Sequence, residues 1–160
     1  MPLKLSLKPG EKFVLNGAVV QNGDRRGVLL LQNKASVLRE KDIMQADEVT
    51  SPARRIYFPV MMMYLDESSA DKFYDEFAMR LSEFMGATRN PEIMADCVAA
   101  SRHVMAREYY KALMAARKLV EYEESRIGDV ASGRQDSDRY GGKPARGGIS
   151  PVRPGHAGAD

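Results

Sequence analysis

Tryptophan is absent from this chain, cysteine occurs once, at Cys97, and histidine only twice, at His103 and His156. A single thiol excludes an intramolecular disulfide and any zinc site built from several cysteines. Cys97 sits in an apolar helical pattern and reads as a small core side chain. His103 falls in a helical stretch and His156 in a glycine-rich tail, so the two do not suggest one site. There is no glycine-rich phosphate loop and no nucleophile spaced to meet a base, so no catalytic residue, metal ligand or cofactor is expected. Long hydrophobic runs are missing too. Lys4 and Lys8 interrupt the early apolar stretch, which leaves neither a signal peptide nor a membrane span and points to the reducing cytoplasm.

What the chain has is a separation of charge. The formal net charge is only +2, but residues 1–45 hold eight Lys/Arg against four Asp/Glu. The segment after them is richer in acids than in bases. Local charge decides what a surface attracts, so the basic segment is the one to test against a polyanion.

The basic segment reads as strands. Leu3, Leu5 and Leu7 alternate with Lys4, Ser6 and Lys8, which places the leucines on one face. Pro9-Gly10 turns the chain, and Lys12 to Leu15 forms a second strand. Asn16-Gly17 supplies residues that tolerate the positive φ of a tight hairpin before Ala18-Val19-Val20. Asn22-Gly23-Asp24 repeats that turn chemistry ahead of Arg25 and Arg26. Val28 to Leu31 and Ala35 to Arg39 complete about five short strands, expected as a small meander or barrel-like sheet.

From Ala46 the periodicity becomes helical. Ser51 before Pro52 is a capping hydroxyl followed by proline in the first turn, and the helix should run to about Leu65. Pro59 lies inside it and predicts a kink there or a delayed start. Ser68-Ser69 caps a second helix carrying Phe73, Phe77, Leu81, Phe84 and Met85. Asn90-Pro91-Glu92 opens a third, expected to continue to about Glu124 with an apolar stripe of Met94, Val98, Met105, Tyr109, Leu113, Ala116 and Val120. Glu121, Glu123 and Glu124 oppose the dipole at its end and predict fraying. From Gly128 the composition is that of a disordered tail. The expected class is α+β, with a basic β module at 1–45, a three-helix region at 46–127 and a disordered tail at 128–160.

Three places invite a functional reading. Met61-Met62-Met63 would suit an adaptable groove, but three consecutive helical positions face different directions and at most two share a surface. Arg54 and Arg55 beside the positive end of a helix dipole are candidates for an anion or an acidic partner. The strongest candidate is the β module. Its Lys8, Arg25, Arg26 and Arg39, with Lys4, Lys12, Lys34 and Lys41, would attract RNA phosphates.

The chain resembles the FlbT family of flagellated alphaproteobacteria. The match lies in Pro2-Leu3-Lys4-Leu5, in Leu7-Lys8-Pro9-Gly10-Glu11-Lys12, in Asn16-Gly17-Ala18-Val19 and in Asn22-Gly23-Asp24-Arg25-Arg26. It continues in Val37 to Gln45, Pro52 to Phe58 and Tyr64-Leu65. The resemblance implies post-transcriptional control of flagellin: binding to the 5′ untranslated leader of flagellin mRNA, repression of translation, promotion of decay and a functional link to FlaF. The β module is also similar to the carbon-storage regulator family of RNA-binding proteins, through Gly10-Glu11 and Val37-Leu38-Arg39-Glu40. That similarity implies an RNA surface with Leu5 and Lys8 on one strand and Val37 and Arg39 on another. Leu7 departs from it, standing where that family has an arginine. A homodimer and a flagellin contact are further expectations. The competing reading is an adaptor or export chaperone that works with FlaF and affects mRNA indirectly.

Overall fold

The structure is a computed structural model that describes the backbone of residues 2–139 and the side chains of residues 2–128. Five strands come first: β1 (Leu3–Leu7), β2 (Lys12–Leu15), β3 (Ala18–Gln21), β4 (Gly27–Leu31) and β5 (Val37–Arg39). Single 3-10 turns at Glu40–Asp42 and Ala46–Glu48 lead to α1 (Pro52–Leu65), α2 (Ala70–Ala87), α3 (Pro91–Met105) and α4 (Tyr109–Arg139). The architecture is α+β, as the sequence predicts. Met1–Arg126 forms one compact unit.

The strands do not form a continuous meander. β1 pairs antiparallel with β4 as a two-stranded ribbon, and β2 is the central strand of a second sheet ordered β3-β2-β5. The Pro9-Gly10 segment explains the difference. Gly10 takes φ +69° and its N–H reaches the Gly23 carbonyl, so the chain is steered away from a β1–β2 hairpin. The Asn16-Gly17 hairpin forms as predicted, with φ of +48° and +83° at its two central residues. Side-chain alternation then gives β2 two buried faces: Val14 joins the helical core opposite Leu38, while Phe13 is buried on the other side opposite Arg39.

The helical core is built on α1, where Ala53, Ile56, Val60 and Met63 are buried to the last few per cent of their surface. Ser51 caps α1 as expected, accepting from the Arg54 N–H. Pro59 neither delays its start nor shortens it, and the proline ring is itself buried. Met61 and Met63 are core residues and Met62 is half-buried, so the methionine run packs instead of lining a groove. In α2 the predicted face holds, with Phe77, Leu81 and Phe84 buried. Cys97 is fully buried, and burial pushes its thiol up to about 11, which makes it an inert core group.

The expected third helix is divided, giving four helices where the sequence predicts three. The break contains neither proline nor glycine. Arg107 takes φ +59°, its N–H bonds to the Val104 carbonyl at 3.0 Å, and the Glu108 N–H bonds to the His103 carbonyl at 2.8 Å. This is a Schellman termination with arginine in the position glycine usually occupies. Turning the chain there also shifts the buried stripe of α3 to Ile93, Cys97, Ala100 and Val104, leaving Val98 and Met105 exposed. In α4 the predicted Tyr109, Leu113, Ala116 and Val120 are buried.

The backbone of α4 continues through Arg139, past Gly128 where the tail was expected to begin, because extending a helix is far easier than starting one. The rest of the predicted tail, residues 140–160, lies outside the described residues.

An L-residue in the left-handed region is strained by about 1–2 kcal/mol. Glycine relieves that strain but adds freedom to the unfolded chain. Arg107→Gly is therefore expected to raise stability by about 0.5–1 kcal/mol in urea unfolding. A lower unfolding midpoint would contradict this account of the α3–α4 turn.

Candidate nucleic-acid interface

The predicted contact residues do not share one surface. Lys8, Arg25 and Arg26 lie on two neighbouring turns at one end of the β module. The side-chain amide of Asn22 joins their two turns, its Nδ2 donating to the Lys8 carbonyl at 2.8 Å and to the Arg25 carbonyl at 2.9 Å. Gly10 N–H to Gly23 O and Asn22 N–H to Glu11 O lace the same turns at 2.9 and 2.8 Å. Lys8, Arg25 and Arg26 are all exposed. Among the described residues none of the three forms an ion pair, although Asp24 lies in the same turn.

Arg39 is placed differently. Its guanidinium is held within the module: Nε and Nη2 donate to Glu11 Oε1 at 3.1 and 2.9 Å, Nη2 reaches Glu11 Oε2 at 3.1 Å, and Nη2 also donates to the Ser6 carbonyl. Arg39 thus ties β5, the β1–β4 ribbon and the Glu11 turn together. Glu11 also accepts from the Lys8 N–H at 2.8 Å. That backbone hydrogen bond, followed by the Arg39 guanidinium, holds the Glu11 carboxyl below its ordinary value of 4.5.

Leu5 is half-buried on the ribbon opposite Leu29, and Val37 lies in the other sheet opposite Leu15. The Tyr64 hydroxyl accepts from the Val37 N–H and donates to the Val37 carbonyl, both at 2.9 Å, so α1 occupies that part of the strand edge. The ribbon exposes Leu3, Val28 and Leu30. Phe13, the one aromatic residue before Tyr57, is buried, so the module has no exposed ring on which a base could stack.

A second polar region ties the segment after β5 to the helices. The buried Asp42 carboxylate pairs with Arg117 of α4, and the Asp42 carbonyl accepts from the Tyr57 hydroxyl. Burial raises the Tyr57 phenol well above its usual range, so it remains a donor at any physiological pH. The acids expected to fray the third helix have partners here. Glu121 pairs with Arg117 at 3.3 Å, Glu124 with Arg54 at 3.0 Å, and Glu123 accepts from the Ala53 N–H at 3.0 Å. Since α4 continues beyond them, they are not at its end. Glu123 and Glu124 instead face the positive start of α1. Arg54 therefore meets an acid of its own chain, whereas Arg55 is exposed and has no ion-pair partner among the described residues.

Sequence reasoning missed Glu11, Asn22, Tyr64 and Asp42. Most of their partners lie on other elements, and only the turn signals at Gly10-Glu11 and Asn22-Gly23 gave any local hint.

Residues 3–127 match the family model for flagellar protein FlbT. The chain belongs to the FlbT family. It is 79% identical over 133 residues to a protein of Caulobacter vibrioides named flagellum biosynthesis repressor protein FlbT, covering 83% of this chain and 94% of that protein. A Caulobacter sp. relative named a probable repressor of the same kind is 77% identical over 131 residues, covering 82% of this chain and 100% of the relative. A Rhodopseudomonas palustris relative is 36% identical over 124 residues, covering 78% and 96%. No solved structure matches the chain. Among the described residues no helix is long and apolar enough to cross a membrane.

Because its folded value is lowered, Glu11 contributes stability that is fully present above the unfolded carboxyl value and is lost as pH falls through the folded one. Below about pH 4.5 the urea midpoint of the natural chain should fall more steeply with pH than that of Glu11→Gln. Parallel curves in that window would refute the Glu11–Arg39 assignment.

Proposed function

We propose that this FlbT-family chain is a non-enzymatic, cytoplasmic repressor of flagellum biosynthesis that acts on messenger RNA, binding the 5′ untranslated leader of flagellin mRNA to repress translation and promote decay. The observation that carries this reading is the set of exposed cations Lys8, Arg25 and Arg26 on two turns that the Asn22 amide joins, without acid partners among the described residues. Such a set suits phosphates: three cations on two joined turns neutralise the backbone, and the folded shape of the leader decides where they meet it. Arg39 in this reading positions the turn through Glu11, and its outer face is available to add a contact. The lack of an exposed ring makes electrostatics the main source of affinity.

The second reading is a protein-interaction adaptor or export chaperone, linked to FlaF or to flagellin itself, with an indirect effect on the message. The observation in its favour is the groove between α2 and α3, of about 370 Å³, along which Tyr74, Val98 and Met105 are exposed. An apolar groove of this kind suits a helix of a partner protein.

A gel shift with the full chain and flagellin leader RNA at several salt concentrations separates the two. Binding stronger than to a scrambled RNA is expected, and each of Lys8→Ala, Arg25→Ala and Arg26→Ala should reduce the salt slope by about one. Equal affinity for leader and scrambled RNA at low salt would favour the adaptor. Unchanged affinity in the triple variant would remove the turn cluster from the RNA surface.

A further inference from the structure

A pocket of about 250 Å³ lies where the start of α1, the end of α2 and the α4 residues Tyr122–Arg126 meet. Its lining joins Pro52, Phe84, Ala87 and the Tyr122 ring to the exposed Arg55 and Arg126. The other charged residues in its lining are already engaged. Arg80 holds Glu76 at 2.8 Å and Glu83 at 3.3 Å, and Glu123 accepts from the Ala53 N–H. Arg55 and Arg126 have no acid partner among the described residues. Arg126 is held over the Tyr122 ring, 5.7 Å from its centre, and donates to the Tyr122 hydroxyl at 2.9 Å. Thr88 also lines the pocket, and its hydroxyl is the one buried side-chain polar atom without a hydrogen-bond partner among the described residues.

We infer that this pocket binds a short segment of a partner protein in which an apolar side chain stands next to a carboxylate. The apolar side chain rests on Phe84 and Tyr122, and the carboxylate is taken by Arg55 and Arg126. Three features favour a peptide over RNA. The volume lies below the range of roughly 300–1,000 Å³ typical of small-molecule sites and suits one or two side chains. Arg55, Arg80 and Arg126 against Glu83 and Glu123 leave the lining one positive charge in excess, which a single carboxylate balances and a polyphosphate exceeds. The β-module cluster of Lys8, Arg25 and Arg26, which has no comparable ring of acids, is the better polyanion surface. The inference does not depend on the RNA reading, and its failure would leave that reading standing.

The test uses the full chain labelled with ¹⁵N and titrated with N-acetyl-leucyl-glutamate amide, its glutamine analogue and uridine 5′-monophosphate. The glutamate peptide is expected to shift the amides of Arg55, Ala87, Thr88 and Tyr122 to Arg126, with a dissociation constant on the order of 1 mM. The glutamine analogue should bind about tenfold more weakly, and Arg55→Gln and Arg126→Gln should each reduce affinity about five- to tenfold. Both arginines are exposed, so these variants retain the fold. No shift at these amides, equal response to the two peptides, or stronger response to the nucleotide would overturn the proposal.

Discussion

The Arg39 guanidinium is the contact on which the β module depends. A two-stranded ribbon is marginal alone, and a three-stranded sheet with a three-residue edge is little better. In the same strand Leu38 is fixed in the helical core, so its neighbour necessarily points to the other side, toward β1 and the Glu11 turn. Placing a forked donor there joins a carbonyl of the ribbon and a carboxylate of the turn to a strand already anchored by the helices. Arginine suits this work better than lysine because its donors are fixed in a plane and reach two acceptors together. What the charge pattern marks as an outward-facing cation is largely a brace.

Much of the architecture was legible in the sequence because it rests on local chemistry. Alternation marked the strands, Asn16-Gly17 marked a hairpin, and Ser51-Pro52 and Asn90-Pro91 marked helix starts. Strand pairing was not legible, since β1 and β4 are brought together by bonds between two distant turns that no periodicity encodes. The α3–α4 turn was missed for a different reason. Its signal is normally glycine, and here tertiary packing holds Arg107 in a conformation its own residue type disfavours. The offset of the α3 stripe followed from assuming one continuous helix.

For the candidate interface, the residue types were legible and their roles were not. Lys8, Arg25 and Arg26 stay exposed, as the basic composition suggests, but the Asn22 amide that assembles them could not be picked out from any other turn asparagine. Arg54 and Arg55 are adjacent and chemically identical. Glu124, seventy positions away, pairs with the first, and the second is left facing solvent. Side-chain partnership across the fold separates residues that composition treats as equivalent.

The β1–β4 ribbon has a dynamic consequence. It exposes Leu3, Val28 and Leu30, and its ties to the rest are its one buried side chain, Leu7, the Arg39 and Asn22 side chains and a few turn hydrogen bonds. Regions with little buried apolar surface open at a small fraction of the global unfolding free energy. Residues 3–7 and their β4 partners are therefore expected to open before Val14, Leu38 and the helices do. Their amide protons would report that opening as fast exchange against a slowly exchanging helical background. During each opening an unpaired leucine strand is briefly presented to solvent, with Lys4 as the charge that discourages its pairing with a second chain.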